Sequence, residues 1–446
     1  MSIGRWRRVV LLIAFGGCAA IPLKLLGDLE GSYILPLDHA AIQYATAALD
    51  DPVTRLKRRI SEGKVSLSFE PDHGYLPALL KELDVPVSSQ VLVFSKTSFQ
   101  APRISPRTPR ALYFNDDVSL GWVRGGDVLE IAATDPRQGT IFYTIDQEEA
   151  SKPRIERRGE CLQCHASPGT VGVPGLVVRS IYPEPSGMPL FHAGSFVTDH
   201  RSPLNQRWGG WYVTGTHGSQ RHMGNIFVMD RDHPDKLDME AGANVTDLTG
   251  RFDTGAFLSP HSDIIALMVL EHQTRMISLI TRLTFETRMA LHDQKAINQA
   301  LGRPAEDLTD STKRRIGNVA EALVKYMLFV EETELKDPIK GTSGFAAEFA
   351  KKGPRDSSGR SLRDLDATAR LFRYPCSYLI YSEAFDALPA AAKDRVYRRL
   401  WEILSGQDKS STFARVSTTD RRNILEILLE TKPGLPDYFR SSPPAD

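Results

Sequence analysis

The sequence predicts an α+β protein with a β-rich N-terminal and central region followed by a mostly helical C-terminal half. Short β-branched and aromatic runs, punctuated by Pro and Gly, fill residues 91–145 and predict an antiparallel sheet. After Ser262 the spacing of apolar residues changes from two to about 3.6, which predicts a long amphipathic helix to about Leu291. Hydrophobic residues make up 41% of the 446 and charged residues 25%, a balance typical of globular proteins.

Two helical segments are predicted before the first strands, because helical spacing covers 41–64 and 75–83. The strand runs that follow lie at 91–94, 111–114, 119–123, 128–132 and 140–145. Strand texture resumes at 176–182, 190–198, 210–214 and 226–229. Beyond the long helix, a second helix is expected around 316–330, and helical spacing returns at 396–404 and 424–428.

These patterns divide the chain into six predicted segments. They are a signal peptide or membrane anchor (1–27), a mixed, β-rich domain (28–158), a β-rich region around a cysteine motif (159–258), amphipathic helices (259–339), a linker or loop (340–361) and a helical C-terminal region (362–446).

The N-terminus predicts export. Three arginines precede Val9–Leu23, fifteen residues without a charge, as in secretory signal peptides. As a helix this run would reach only about 22 Å, short of a hydrocarbon core of roughly 30 Å. We therefore expect a cleaved signal or a retained anchor, and a location in the periplasm or on the outer face of the cytoplasmic membrane.

The total charge excludes one class of function. Lys and Arg together number 55, as do Asp and Glu, so the net charge is zero. No overall field favours nucleic acid, and we expect no nucleic-acid partner.

One motif carries chemistry. Cys161-Leu162-Gln163-Cys164-His165 is a CxxCH sequence. Two thiols three residues apart can each bond a vinyl group of one haem, and the next histidine can bind the iron from below. A redox-active cysteine pair and a zinc site are the competing interpretations, and two buried structural cysteines are a third.

At Cys161, Cys164 and His165 the chain resembles the c-type cytochromes, and it is similar to uncharacterised bacterial proteins that contain a cytochrome c domain. The resemblance implies one covalent haem c with His165 as the proximal iron ligand. It covers five residues, and predicted strands precede the motif where compact members of the family have a helix.

The sixth iron ligand is open at the sequence level. The candidates His217, His222, Met223 and His272 follow the motif, and His217 lies in the glycine- and tryptophan-rich stretch 207–218. Met188, His192 and His200 come next. Arg201 and Arg221 are candidate partners for the haem propionates.

The expected function is that of an exported monohaem cytochrome that exchanges single electrons with a redox partner protein or a respiratory chain component. The alternative is a periplasmic haem enzyme or sensor with an open distal site, of a peroxidase-like or small-ligand-binding kind. An electron carrier is the favoured expectation, and no catalytic residue is assigned. In the alternative, Asp199-His200-Arg201 would be the place for proton transfer.

Overall fold

A computed structural model describes residues 33–440, in which the predicted α+β class is confirmed. Seven antiparallel strands form one sheet in the order β6-β5-β4-β3-β2-β1-β9. The strands are β1 (Val91–Val93), β2 (Arg110–Phe114), β3 (Val118–Trp122), β4 (Val128–Asp135), β5 (Gly139–Asp146), β6 (Ile155–Arg157) and β9 (Trp211–Tyr212).

Four shorter strands lie outside this sheet. They form two antiparallel pairs, β7 (Val178–Ile181) with β8 (Ser195–Thr198), and β10 (Gly215–Thr216) with β11 (Lys340–Gly341).

The two faces of the sheet have different environments. Side chains alternate between the two faces along each strand, and one face is buried, as shown by Leu129, Ile131 and Tyr143. The opposite face carries Arg110 and Glu130, which are half-buried and paired with each other. This second face is therefore only partly covered.

The helices make up most of the chain after residue 263. Their bounds are α1 (Pro52–Ser61), α2 (Leu76–Glu82), α3 (Leu162–His165), α4 (Ile264–Ala300), α5 (Asp310–Met327), α6 (Phe345–Lys351), α7 (Glu383–Asp386), α8 (Ala390–Leu404) and α9 (Thr418–Thr431).

Helix α4 covers one end of the second sheet face. Ser119 and Ala132 of the sheet line a small cavity together with Gln273 and Ile277 of α4. A Cβ atom at Gly139, the first residue of β5, would come within 2.4 Å of Thr281 Cγ2. The helix therefore lies directly against the turn between these strands.

Several predicted elements differ from the observed ones. Within 41–64 only Pro52–Ser61 is helical, where Asp51 caps the first turn and Pro52 begins the helix. Residues 226–229 form no strand. The long helix continues nine residues past Leu291, to Ala300.

The predicted linker 340–361 is also different. It contains β11 and α6, and the backbone amides of Thr342 and Ser343 bond the Asp263 carboxylate at 2.8 Å each. Gly, Ser and Lys favoured a loop, but a buried acceptor far away in the sequence holds this segment in place.

One hydrophobic cluster runs through the described chain from Leu35 to Phe439. It includes Val173 and Trp208 from the cysteine-motif region, and Phe345 from the predicted linker. The predicted segment boundaries thus mark stretches of sequence that share a core. The predicted signal or anchor, residues 1–27, lies outside the described residues.

One described helix, α4, has the length and composition that a membrane crossing requires. Its most apolar 18-residue window is 89% buried inside the protein, as expected for a core helix.

We predict that Asp263→Ala lowers the free energy of unfolding by about 2–4 kcal/mol, because Asp263 is buried and accepts bonds from both the start of α4 and residues 342–343. Chemical denaturation measures the change. Asp310→Ala is the matched control, because this aspartate is exposed and its contact with Lys313 is long, at 4.0 Å. It should shift the free energy of unfolding by less than about 0.5 kcal/mol. Equal effects of the two substitutions would contradict the role of Asp263.

Candidate functional site

The cysteine motif lies on a single turn that follows the edge strand β6. A short 3₁₀ turn over Gly159–Cys161 leads into α3, so Cys161 lies at the start of α3 and Cys164 within it. The amide of Arg158 donates to the Phe142 carbonyl at 2.9 Å, which ties the approach to the sheet. Both thiols are therefore presented by one short, anchored element.

The two thiols are free and differ in exposure. Cys161 is half-buried and Cys164 is exposed, whereas Cys376 is fully buried. Burial raises the pKa of Cys161, with Glu160 adding to the effect, and burial raises the pKa of Cys376 to about 12. The motif cysteines are the accessible ones among the described residues.

His165 is held in a defined orientation. Its Nδ1 lies 3.0 Å from the Gly175 carbonyl oxygen, which can only accept, so Nδ1 carries the proton and donates. The Nε2 lone pair is then free to bind a metal, as in metal-ligating histidines whose other nitrogen bonds a carbonyl. The Phe142 ring packs 4.9 Å from the imidazole.

The protonation of His165 agrees with this tautomer. Burial lowers its pKa, and the Gly175 carbonyl opposes that effect. The imidazole is therefore neutral near pH 7, the form that binds iron.

Gly175 has a steric reason to be glycine. A Cβ atom there would lie 2.5 Å from Ser278 Oγ of α4. The amide of Gly175 also donates to the His165 carbonyl at 2.8 Å, so Gly175 bonds both the backbone and the imidazole of His165.

Charged groups from the open sheet face lie near His165. Arg110 Nη1 bonds Glu130 Oε2 at 2.7 Å, and Ser98 and Gln100 donate to Glu130 Oε1 at 3.1 and 2.7 Å. Arg110 lowers the pKa of His165 and Glu130 raises it. The motif therefore lies near a pair of charged side chains that local sequence patterns could not indicate, since Arg110 and Glu130 belong to separate strands.

The first sixth-ligand candidate, His217, has both ring nitrogens engaged. Nδ1 lies 2.8 Å from the Gln220 carbonyl, and Nε2 accepts from the Asn244 amide at 2.9 Å. The glycines beside His217 serve this local turn. Iron binding by His217 would require one of these bonds to break.

His222 and Met223 are also buried. His222 accepts the Gly224 amide at Nδ1, packs against Trp208 and His217, and has its pKa lowered to about 3, chiefly by burial. Met223 Sδ accepts from Ser180 Oγ at 3.7 Å. The two residues lie in a loop.

His272 is a hydrogen-bonded core residue of α4. Its Nδ1 lies 2.9 Å from His200 Nδ1, and its Nε2 lies 2.8 Å from Ser377 Oγ. Burial lowers the pKa of His272 to about 3. Among the described residues, no hydrogen bond or ring contact joins any of the four candidates to His165.

The arginines considered for haem propionates have partners. Arg201 forms a two-point ion pair with Asp199, with N···O distances of 3.0 and 2.7 Å. Arg221 pairs with Glu240 at 2.7 and 2.6 Å. Asp199-His200-Arg201 therefore forms part of a paired, buried cluster.

A different group of metal-binding residue types joins the loop before α1 to α4. His39, His292 and Asp293 place one ligand atom each within 4.8 Å of one another. His39 Nδ1 accepts the Ala41 amide, so in the neutral ring Nε2 carries the proton. Arg315 also lies 3.4 Å from Asp293 Oδ2. His39 and Asp293 are therefore already engaged within the protein.

Comparison with known proteins gives no relative: no protein-family model, no curated protein and no solved structure matches the chain.

We predict a graded thiol reactivity in protein prepared without haem, in a Cys18→Ser background. Cys164 should react first with an aromatic disulfide reagent and Cys161 more slowly, because it is half-buried and its pKa is raised. Cys376 should react only after unfolding. Labelling sites can be read by peptide mapping, and rapid reaction of Cys376 in the folded protein would contradict the structure.

Proposed function

We propose that the protein is an exported monohaem c-type cytochrome that transfers single electrons through one haem c bound at Cys161 and Cys164. The observation that carries the proposal is the orientation of His165. Its Nδ1 bonds the Gly175 carbonyl, so Nε2 is left as the ligand atom beside two free thiols on the same turn. Haem iron with a proximal histidine supplies one-electron chemistry when bound.

The attachment chemistry balances without an oxidant. Each thiol adds across one vinyl C=C bond, so that sulfur bonds one carbon and the hydrogen goes to the other. This step needs two reduced, accessible cysteines, as Cys161 and Cys164 are here. Leu162 packs against the core and anchors the turn that carries both.

The structure gives the competing interpretations less support. A thioredoxin-type pair starts the helix of a βαβ unit, but this pair follows an antiparallel edge strand and α3 is only four residues long. A structural zinc site needs four ligands. In residues 33–440, the group of ligand side chains that could hold a metal is His39, His292 and Asp293, and it does not include the two cysteines.

A haem enzyme or sensor with an open distal site is the second candidate. It is favoured by the contacts of the buried histidines, because His217 and His272 use both ring nitrogens within the protein. A haem at His165 would then lack a ligand from the core on its other side. A carrier requires a sixth ligand from elsewhere in the chain.

We also place the protein outside the cytoplasm, with an electron-transfer protein as its partner. The support is Val9–Leu23 with the preceding arginines, together with the attachment of haem c after export. The N-terminal segment is then either cleaved or retained as a membrane attachment.

We predict that Cys161→Ala and Cys164→Ala each remove one thioether bond and lower the yield of covalent haem, and that the double variant retains none after denaturing electrophoresis and haem staining. Co-expression with a cytochrome-maturation system is required. His165→Ala should change the haem spectrum more than the attachment, because the thiols remain.

Cys376→Ala is the matched control and should keep the full haem stain, since Cys376 lies in the core away from the motif. A wild-type protein that loses its haem under denaturation, or that holds stoichiometric zinc, would contradict the proposal.

A further inference from the structure

Three side chains with metal-binding atoms converge where the segment before α1 meets α4. His39 Nε2 lies 3.6 Å from Asp293 Oδ1, and His292 Nδ1 lies 3.7 Å from the same oxygen. The centroids of the two imidazole rings are 5.2 Å apart. Each residue therefore offers one ligand atom within 4.8 Å of the other two. We call these three residues the His39 cluster.

The spacing of these atoms suits a shared ion better than direct hydrogen bonds. Both N···O distances, 3.6 and 3.7 Å, exceed the roughly 2.7–3.2 Å of a hydrogen bond. Ligand atoms that bind zinc tetrahedrally at about 2.1 Å lie about 3.4 Å from one another. By contrast, His233 and Asp230 approach to 2.9 Å, which is a direct contact between two side chains with no third ligand type.

Both sides of the His39 cluster belong to ordered parts of the fold. Helix α4 carries two of the ligands. His39 lies between Leu35 and Ile42, whose side chains are each only 1% exposed in the hydrophobic core. Gln138 also donates to the Ile42 carbonyl at 3.1 Å. The ligands are therefore held near one another before any ion binds, which lowers the entropic cost of binding.

Solvent can deliver an ion to this cluster. His39 is half-buried, and His292 and Asp293 are exposed. Arg315 approaches only the other carboxylate oxygen, Asp293 Oδ2, at 3.4 Å. It is held away from Oδ1 by two bonds to Glu286 Oε2, at 2.9 and 2.7 Å. The oxygen that faces both imidazoles is therefore left available to an ion.

The donor set selects the class of ion. Two imidazole nitrogens and one carboxylate oxygen suit zinc and similar divalent transition metals, whereas calcium and magnesium prefer oxygen ligands alone. Three protein ligands leave a fourth position of a tetrahedral site for water.

Ion binding requires one change of tautomer. His39 Nδ1 accepts the Ala41 amide at 3.1 Å, so the neutral ring carries its proton at Nε2. When Nε2 binds the ion, this proton moves to Nδ1 and the contact with Ala41 is lost. In residues 33–440, no hydrogen bond engages either nitrogen of His292, which needs no such change. The cost is one local bond, and we expect micromolar affinity.

We propose that the His39 cluster is a zinc site that ties the segment before α1 to α4. Tyr33 of this segment already donates to Glu286 of the helix, so the ion adds a second link between the same two elements. An exposed site with three protein ligands exchanges its ion readily. Protein dialysed against a chelator should therefore carry no zinc here, which distinguishes this site from zinc held at the cysteine motif.

The experiment titrates zinc chloride into chelator-treated, haem-loaded, full-length protein by calorimetry. The wild-type protein should bind one zinc ion, and zinc should raise its unfolding temperature. His39→Ala, His292→Ala and Asp293→Ala should each lower the affinity at least about tenfold and remove the stabilisation. The three sites lie at the surface or are half-buried, and unfolding without zinc, which should resemble that of the wild type, separates loss of a ligand from loss of the fold.

Two controls accompany these variants. His233→Ala removes an exposed histidine that also lies beside an aspartate, and it should bind zinc as the wild type does. The Cys161→Ala, Cys164→Ala double variant lacks the motif thiols and should also keep the site. Because this variant carries no covalent haem, its zinc binding tests the His39 cluster independently of the proposed function.

Three results would overturn the inference. The first is the absence of saturable zinc binding by the wild-type protein. The second is loss of the site in the cysteine double variant, which would place the zinc at the motif. The third is unchanged affinity in His39→Ala, which would leave only an adventitious ion on α4 and no link to the segment before α1.

Discussion

The contacts between α4 and the loop after the cysteine motif position the whole candidate site. Arg282 donates to the Val171 carbonyl at 2.7 Å, and Arg275 donates to the Gly169 carbonyl at 3.3 Å. A Cβ atom at Gly175 would lie 2.5 Å from Ser278 Oγ, so a side chain there would require Ser278 to shift. Because this loop carries the carbonyl that orients His165, the buried helix fixes the direction of the imidazole without touching it.

This arrangement explains why a helical half follows a β-rich one. The sheet supplies the surface on which the motif lies, through Phe142 against His165 and through the pair of Arg110 and Glu130. Helix α4 covers one end of the same sheet face. Nearer the motif, Phe142 of this face is buried, whereas Arg110 and Glu130 are half-buried.

Local patterns predicted the parts of the fold that depend on local physics. The strands β1 to β5 follow from β-branched and aromatic runs with clear turn residues, and the start of α4 follows from its cap and its apolar spacing. The end of α4 was harder to predict, because the polar residues Gln294 and Asn298 are buried there and bond each other, which hides the amphipathic period.

The candidate site was also predictable only in part from local sequence patterns. Cys161, Cys164 and His165 lie within five residues, so the CxxCH motif could be recognised from the sequence alone. Whether a histidine elsewhere could act as a sixth ligand of the proposed haem depends on which histidines the fold has already engaged. His272 bonds Ser377, 105 residues away, and His217 bonds Asn244, so no local pattern could show that their nitrogens are occupied.

Mass spectrometry of the protein produced with cytochrome maturation tests the central claim most directly. The intact chain should be heavier than its polypeptide by the mass of one haem, and after proteolysis that mass should remain on the peptide containing Cys161 and Cys164. A polypeptide mass without haem, or a haem mass on any other peptide, would contradict the assignment of the CxxCH motif as the site of covalent attachment.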